Sequence, residues 1–193
     1  MADDDQKKSD DATPPLGRQL LRARSVLLFG PIEPKLTRMA VTQLLALNQM
    51  SKTKPIRVYV NSPGGYAHDG FAIYDMIRFI SAPVMTICTG LAASAATIVM
   101  VAAEKEMRFS LPRARMMLHQ PSQAARGTAS DIEIAAKEIL RLRKEGNELF
   151  ARETGQHIET IEKDLHRDFW MSAEESLEYG LVSKIIASES DLP

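Results

Sequence analysis

The sequence T-G-L-A-A-S-A-A, residues 89–96, lies between two apolar runs and decides how the chain is expected to fold. The run before it, 84–88, is short and bounded by a proline and a glycine, which is typical of a buried strand. The run after it, 97–103, is longer and rich in alanine, which favours a buried helix. Ser94 is therefore predicted to lie at a strand-to-helix turn, beside free backbone N–H groups and the positive end of a helix dipole.

Two uses of the Ser94 hydroxyl fit such a position. Serine is a favoured N-cap residue, so the hydroxyl could simply cap the helix. It could also act as a nucleophile with an oxyanion site beside it, because Gly90 and the flanking alanines allow another chain to approach closely. The stretch alone leaves both uses open.

The rest of the chain alternates strand patterns with helix patterns, which predicts crossover connections and a largely parallel sheet. The fold class is therefore α/β. The predicted order is strand 26–29, helix 35–50, strand 56–61, helix 67–80, strand 84–88, the helix that opens near Ser94, strands 107–110 and 115–119, helices 128–153 and 157–166, a helix that begins at Ser172, and a last strand at 181–186.

The pattern at 128–153 predicts one long helix, with Thr128 as its cap and Gly155 at its end. Gly146 interrupts it at a cost of about 1 kcal/mol relative to alanine, which suggests a bend or a close contact. Such a helix exceeds what a small domain needs to cover its sheet. Its apolar stripe is expected to pack partly on another subunit; the stripe comprises Ile132, Ala135, Ile139, Leu142, Leu149 and Phe150.

Composition excludes several classes of protein. The chain has 193 residues and a formal net charge of −1, which argues against nucleic acid or an anionic membrane as the main partner. No secretory signal, transmembrane run, P-loop or metal-ligand cluster is recognisable, so we expect a cytoplasmic protein without a metal. The single cysteine, Cys88, is expected in the core. Residues 1–17 are predicted to form a flexible tail, with a docking arm that orders on a partner as the alternative, and 18–193 a single domain.

Residues elsewhere in the chain could act together with Ser94. Gly64 and Gly65 end a predicted strand and can present backbone N–H groups in a conformation that a side chain would forbid. The N–H groups of Gly65 and Ala95 could then form an oxyanion site. His119 ends a strand and could serve as a base. A carboxylate would have to orient its ring, and spacing leaves Asp164 and Asp168 equally open.

Several short motifs follow one another along the chain. They are N-S-P-G-G at 61–65, G-L-A-A-S at 90–94, M-L-H-Q-P at 117–121, S-D-I-E-I at 130–134, R-D at 167–168 before S-A at 172–173, and E-Y-G-L at 178–181. Each motif is weak alone, whereas their order and spacing together are specific. From about residue 20 to residue 186 the chain resembles the proteolytic subunit of the Clp protease.

The resemblance implies a crotonase-like fold of repeated β-β-α units with a protruding handle helix at about 128–153. It implies a Ser94–His119–Asp168 triad and, as oxyanion donors, the N–H groups of Gly65 and Ala95. The predicted substrate-binding residues are Gly64, Tyr66, Pro121 and Ser122, which would hold a peptide as an added strand.

The same resemblance implies a function and partners. The chain would be a serine endopeptidase that cuts unfolded polypeptides delivered by a separate AAA+ ATPase, which alone uses ATP. Two stacked heptameric rings would enclose the active sites. Two alternatives stay open: a catalytically weak or structural partner subunit in a mixed ring, and an acyl-CoA enzyme of the crotonase superfamily.

Overall fold

The computed structural model describes residues 15–193. Helix α1 (Pro15–Arg22) begins inside the segment 1–17 that the sequence predicts to be a flexible tail. The remainder of that prediction, residues 1–14, lies outside the described part of the chain.

A seven-stranded, mostly parallel sheet forms the centre of the structure. Five strands run parallel in the order β1-β2-β3-β4-β7, β5 pairs parallel with β3, and β6 pairs antiparallel with β5. The strands are β1 (Ser25–Phe29), β2 (Ile56–Ser62), β3 (Val84–Ala93), β4 (Arg108–Ser110), β5 (Arg115–Leu118), β6 (Phe169–Met171) and β7 (Lys184–Ile185).

Six further helices connect and cover these strands, and two short 3-10 turns lie at Lys105–Met107 and Glu189–Asp191. The helices are α2 (Pro34–Met50), α3 (Ala67–Phe79), α4 (Ala95–Met100), α5 (Ala129–Thr154), α6 (Ile158–Asp164) and α7 (Ala173–Tyr179).

Strand β3 acts as two consecutive strands. Its register with β2 changes at a bulge, because Val60 lies opposite Cys88 whereas Ser62 lies opposite Ala92. The first half of β3 pairs with β4 and the second half pairs with β5. Helix α4 follows this divided strand. The two halves of β3 and α4 therefore form a strand–strand–helix unit of the predicted β-β-α class.

The end of the predicted strand 84–88 was wrong, because β3 continues to Ala93. Gly90 does not end it, since the Asn61 side chain takes over the pairing at the bulge. Its Oδ1 accepts the N–H of Leu91 at 3.1 Å. A Cβ on Gly90 would lie 2.9 Å from the same Oδ1, so a larger residue would require the Asn61 side chain to move.

Other element ends also differ from the predictions. The helix after Ser94 ends at Met100, so 101–103 are buried in a turn rather than in a helix. The last strand is reduced from 181–186 to Lys184–Ile185, because Leu181 and Val182 are buried in the turn that follows α7. Strand β6 was not predicted at all.

Helix α5 begins and ends as the sequence predicts. Thr128 and Asp131 form a capping box, and Gly155 ends the helix with a φ of 82°. The helix continues unbroken through Gly146, and a Cβ there would meet no atom of the described chain within 4 Å outside its own stretch of helix, so of the two expectations the close contact is absent. Its first half carries exposed apolar side chains, and its last turns pack into the core. No helix among residues 15–193 is long and apolar enough to cross a membrane.

Candidate active site

Ser94 lies at the turn that joins β3 to α4 and has an unusual backbone conformation. Its φ and ψ angles are 53° and −125°, and among residues 15–193 Arg24 is the other non-glycine residue with a positive φ. Such a conformation costs about 1–3 kcal/mol and persists where the surroundings enforce it. The Ser94 N–H donates to the Met117 carbonyl at 2.8 Å, and its carbonyl accepts the Thr97 N–H at 2.9 Å. The first bond holds the strained turn against β5, and the second joins it to the first turn of α4.

The Ser94 side chain does not cap α4, although the residue occupies the N-cap position. Its Oγ instead lies 2.8 Å from Nε2 of His119. Of the two uses that the sequence leaves open for this hydroxyl, the structure shows a hydrogen bond to imidazole and no cap bond.

His119 and Asp168 are brought together by the register of β5 and β6. Leu118 lies opposite Phe169 in this antiparallel pair, so the residue after β5 faces the residue before β6. His119 Nδ1 consequently lies 3.0 Å from Asp168 Oδ1. An ionised carboxylate can only accept, so Nδ1 carries the imidazole proton. The other nitrogen, Nε2, is then the acceptor for the Ser94 hydroxyl.

Asp164, the other carboxylate that the sequence leaves open, has a different partner. It ends α6, and its Oδ2 accepts the Tyr179 hydroxyl at 3.0 Å. Burial, and after it the Asp164 carboxylate, raises the pKa of Tyr179 well above its usual value. The structure therefore pairs His119 with Asp168, whereas Asp164 joins α6 to α7.

Gln120 fastens the segment that carries Asp168. Its backbone N–H donates to the Leu165 carbonyl at 2.7 Å. Its side-chain Nε2 donates to the His166 carbonyl, also at 2.7 Å. Because Asp168 follows two residues later, these bonds fix the approach of the carboxylate to His119. Sequence reasoning did not identify this role for Gln120.

Gly64 and Gly65 place the loop after β2 directly against the Ser94 turn. Their φ angles of 92° and 158° favour glycine. A Cβ on Gly64 would lie 2.5 Å from the Ala93 carbonyl oxygen and 2.7 Å from the Ser94 Cβ. A Cβ on Gly65 would lie 2.0 Å from the Ile32 carbonyl oxygen. Only glycine fits at either position without moving the serine turn or the chain after β1.

Two backbone N–H groups border the cleft beside Ser94. They belong to Gly65 and Ala95, and both residues line the same cleft as the serine. Within the chain from residue 15 onward, neither N–H donates a hydrogen bond. Two unpaired N–H groups next to a hydroxyl are the donors that an oxyanion site requires.

The cleft at Ser94 has a volume of about 660 Å³. Three of the predicted substrate-binding residues, Tyr66, Pro121 and Ser122, line it. Gly64 does not line it and lies behind the serine turn, where an added Cβ would meet the Ala93 carbonyl oxygen, the Ser94 Cβ and the Ala95 nitrogen. Its place in the site is therefore to let the loop and the turn pack together.

Helix α5 forms a wall of this cleft, whereas the sequence analysis expected its apolar stripe to pack partly on another subunit and did not place it at the cleft. The signal was present in the helical spacing of Ile139 and Leu142, but a periodic stripe does not reveal what it faces. The wall comprises Ile139, Leu142, Arg143, Gly146, Asn147 and Phe150.

The thiol of Cys88 lies away from this cleft. Cys88 is fully buried in β3, and burial raises the pKa of its thiol to about 11, so the thiol stays protonated at neutral pH. Across residues 15–193 no three His, Cys, Asp or Glu side chains are placed to hold a metal ion.

A serine at a strained turn, linked through histidine to a carboxylate and flanked by two unpaired N–H groups, is the arrangement of a serine hydrolase. It offers a hydroxyl to attack a carbonyl, a base to accept its proton and donors for the resulting oxyanion. This geometry differs from an enolate site, which would need no such linked set.

Comparison with known proteins defines the class further. The sequence model of the Clp protease family matches residues 8–189. The chain is 48% identical over 187 residues to ATP-dependent Clp protease proteolytic subunit 2 of Treponema denticola, covering 97% of this chain and 92% of the relative. It is 46% identical over 198 residues to proteolytic subunit 3 of Rhizobium johnstonii, covering 100% of each.

A solved structure agrees. A mutant of ClpP1 from Listeria monocytogenes superimposes with a TM-score of 0.86 and 44% identity, covering 92% of this chain and 99% of the other. The chain therefore belongs to the Clp protease family. It is a serine peptidase with the crotonase-like fold of ClpP, which confirms the predicted family, fold and enzyme class.

Proposed function

We propose that this chain is the endopeptidase subunit of a self-compartmentalised protease that hydrolyses unfolded polypeptides to short peptides. The observation that carries the proposal is the continuous hydrogen-bonded set Ser94–His119–Asp168, which opens into a cleft bordered by two unpaired N–H groups. Residues 18–193 act as one peptidase domain, with α5 as its handle.

Acylation starts at the Ser94 hydroxyl. Its Oγ attacks the carbonyl carbon of the scissile peptide bond while His119 Nε2 accepts the hydroxyl proton. The N–H groups of Gly65 and Ala95 bind the oxyanion that forms, at a point where charge is absent in the ground state. The tetrahedral species collapses as His119 returns the proton to the leaving amine. The products are an acyl ester on Ser94 and a free amino terminus.

Deacylation repeats these steps with water. His119 Nε2 accepts a proton from the water that attacks the ester carbonyl, and the same two N–H groups hold the second oxyanion. His119 then returns the proton to Ser94 Oγ as the ester bond breaks. Asp168 orients the ring in both halves by accepting from Nδ1, and it stabilises the imidazolium that forms transiently.

The substrate lies along the segments that follow Gly65 and Pro121. Tyr66 and Ser122 lie on these two segments, and both line the cleft. An extended peptide between them could pair with their backbone as an added strand, which suits substrates without fixed structure. Gly64 contributes by allowing the loop to reach the serine turn.

The chain assembles into two stacked rings of seven subunits and receives substrate from a separate AAA+ ATPase. Exposed apolar side chains on α5 support the assembly, because such side chains mark a surface that another subunit covers. In the isolated subunit Ile132, Ile134 and Leu140 are 46%, 67% and 61% exposed. An ATPase partner is supported by the relatives, which are named ATP-dependent Clp protease proteolytic subunits.

No cofactor enters this chemistry, because the nucleophile, base and oxyanion donors all come from the chain itself. ATP is used by the partner ATPase. The cytoplasmic location remains a prediction from the amino-acid sequence.

Hydrolysis of short fluorogenic peptides by the purified, assembled chain tests the proposal. Ser94→Ala is expected to lower kcat by about 10⁶-fold. Ser81→Ala provides the matched control, because Ser81 is exposed and lies outside the cleft. Full activity in Ser94→Ala would refute the assignment of the nucleophile.

A second measurement adds an AAA+ Clp ATPase, ATP and an unfolded protein. The proposal expects degradation only with ATPase and ATP present. Activity that appears only after a second ClpP-like subunit is added would instead favour the partner-subunit alternative. The complete hydrogen-bonded set at Ser94 argues for the first result.

A further inference from the structure

Strand β6 lies at an edge of the sheet. It pairs with β5 on one side, and no other strand of residues 15–193 pairs with it. Such an edge leaves backbone N–H and C=O groups with which an added strand can pair. Trp170, the middle residue of β6 and the only tryptophan of the chain, is 46% exposed. An unpaired edge that carries an exposed aromatic ring is typical of a surface that accepts a partner.

A pocket with a volume of about 290 Å³ follows this edge. All three residues of β6, Phe169, Trp170 and Met171, line this β6 pocket. Since successive side chains of a strand point to opposite faces of a sheet, a pocket that meets all three runs along the edge of the strand rather than over one face. No residue lines both the β6 pocket and the cleft at Ser94. An occupant of the β6 pocket therefore leaves the cleft open.

Three aromatic rings line the β6 pocket. Phe169 and Tyr179 contact each other with their ring centroids 5.4 Å apart, and Trp170 supplies the third ring. The Tyr179 ring is held in place, because its hydroxyl donates to Asp164 Oδ2 at 3.0 Å. Aromatic faces attract cations, and they also pack against the apolar stems of long basic side chains.

The charged residues of the β6 pocket are both acidic. Glu175 and Glu178 line it and are exposed, whereas no Lys or Arg lines it. Across residues 15–193 neither carboxylate forms a salt bridge. Glu175 Oε2 accepts the Ser172 N–H at 2.7 Å, which leaves its other oxygen for a ligand. The β6 pocket thus carries negative charge beside aromatic rings, with no cation from the described chain to balance it.

We propose that the β6 pocket binds an extended, basic segment of another protein, which adds a strand to β6 and places one lysine or arginine side chain between the aromatic rings and the two glutamates. Backbone pairing along β6 supplies affinity, and the pocket supplies the preference for a basic residue. An acidic segment is repelled, and an apolar one leaves the carboxylates without a partner. The inference goes beyond the proposed function and does not depend on it.

Binding of short peptides to the assembled full-length Ser94→Ala chain, which does not hydrolyse them, tests the inference. The peptides are Ac-Thr-Val-X-Val-Thr-amide, in which the β-branched residues favour an extended backbone and X is arginine, lysine or norleucine. Trp170 fluorescence reports on the β6 pocket directly, because the chain has no other tryptophan. The arginine and lysine peptides should change its emission with saturation. The norleucine peptide, which has a neutral side chain, should bind at least about 5-fold more weakly.

Two changes separate the side-chain contact from the added strand. Glu178→Arg should weaken binding of the arginine peptide by at least about 10-fold, because like charges then meet in the pocket. Glu162→Arg is the matched control, since Glu162 is exposed on α6 and does not line the pocket. An arginine peptide with proline in place of both valines should also bind more weakly, because it lacks the N–H groups that pair with β6.

Equal affinity for the arginine and norleucine peptides would overturn the inference. Unchanged binding of the arginine peptide to Glu178→Arg would overturn it as well. If Trp170 emission changes when the chain itself assembles and no peptide alters it further, a neighbouring copy covers the β6 pocket and the inference is wrong. None of these results bears on Ser94 as the nucleophile, because the chain under test lacks that hydroxyl.

Discussion

The two sides of the active site are built in different ways. The serine side, which comprises Gly64, Gly65, Ser94 and Ala95, is packed into the interior, where a single added Cβ on either glycine would overlap the backbone. The acid side, which comprises His166, Arg167 and Asp168 just before β6, has its side chains exposed at the surface. The Asp168 side chain is 61% exposed, and a three-residue strand and Gln120 hold its backbone.

Because of this difference, a substitution on the acid side can change catalysis without changing folding, whereas a substitution on the serine side changes both. A change on the serine side disturbs packing and chemistry together, because the same atoms serve both. A change on the acid side should alter chemistry while leaving the free energy of unfolding almost unaffected, because exposed side chains contribute little to it. The predictions below test this contrast in order of decreasing effect on the peptidase rate.

Asp168→Asn should lower kcat by about 10⁴-fold, because an amide at this position can donate to Nδ1 and favour the wrong tautomer of His119. The free energy of unfolding should change by no more than about 0.5 kcal/mol. Peptide hydrolysis and chemical denaturation of the same preparation measure both quantities. A large loss of stability would show that the acid side is also structural.

Gly64→Ala should reduce activity and stability together. The added Cβ would push the Ser94 turn, which carries the Ala95 N–H, away from the loop that carries the Gly65 N–H. Loss of one of these two oxyanion contacts typically lowers kcat by about 10²–10³-fold. Overpacking should also destabilise the fold by about 1–3 kcal/mol. Gly30→Ala is a useful control, because Gly30 has the same φ of 92° but no atom of the described chain within 4 Å of an added Cβ. Equal effects on activity would contradict the proposed contact.

Gln120→Leu should lower kcat by up to about 10²-fold with little change in KM, because it frees the His166 carbonyl and lets Asp168 drift from His119. The hydrogen bond from the Gln120 backbone to Leu165 remains, so the chain should still fold. Gln120→Glu is the companion variant, since it keeps the shape but replaces the donor. A purely structural role would lower stability and leave kcat unchanged.

Glu153→Gln should leave the peptidase rate almost unchanged and lower the free energy of unfolding by about 3–5 kcal/mol. The Glu153 carboxylate pairs with the buried Arg108 guanidinium and with Arg78, and accepts the Tyr74 hydroxyl at 2.6 Å. It thereby ties the end of α5 to α3 and β4. Denaturation at neutral pH measures the effect.

The difference in free energy of unfolding between wild type and Glu153→Gln should depend on pH, and the direction follows from the pKa of Glu153. Burial alone would raise that pKa, but hydrogen bonds from Tyr74 and Arg108 and the nearby positive charges outweigh it, so the pKa lies below its usual 4.5. A carboxylate with a lowered pKa contributes its stability above pH 4.5 and loses it as the pH falls through the folded-state value. The gap between wild type and Glu153→Gln should therefore narrow below pH 4.5. A gap that is constant down to pH 3 would contradict this account.

Much of the serine side was accessible from the sequence, because its signals are local. The strand-to-helix turn at Ser94, the adjacent glycines and the histidine at a strand end each follow from short patterns of apolar residues and breakers. The caps of α5 are local as well, and both were predicted correctly.

The acid side was not accessible in the same way, because it depends on pairing between distant segments. Strand β6 has three residues, too few for a periodic signal, and its register with β5 is what brings Asp168 rather than Asp164 to His119. Which face of α5 lines the cleft likewise depends on tertiary packing. Helical spacing predicts that a face is apolar but not what that face contacts.

The central claim is that Ser94 is the nucleophile. The most direct test is to react the assembled chain with a fluorophosphonate, which labels activated serines, and to map the adduct by mass spectrometry. The account predicts one adduct per active subunit, located on Ser94, and its loss in Ser94→Ala but not in Ser81→Ala. Modification of a different residue, or an unlabelled Ser94 in a chain that cleaves peptides, would contradict it.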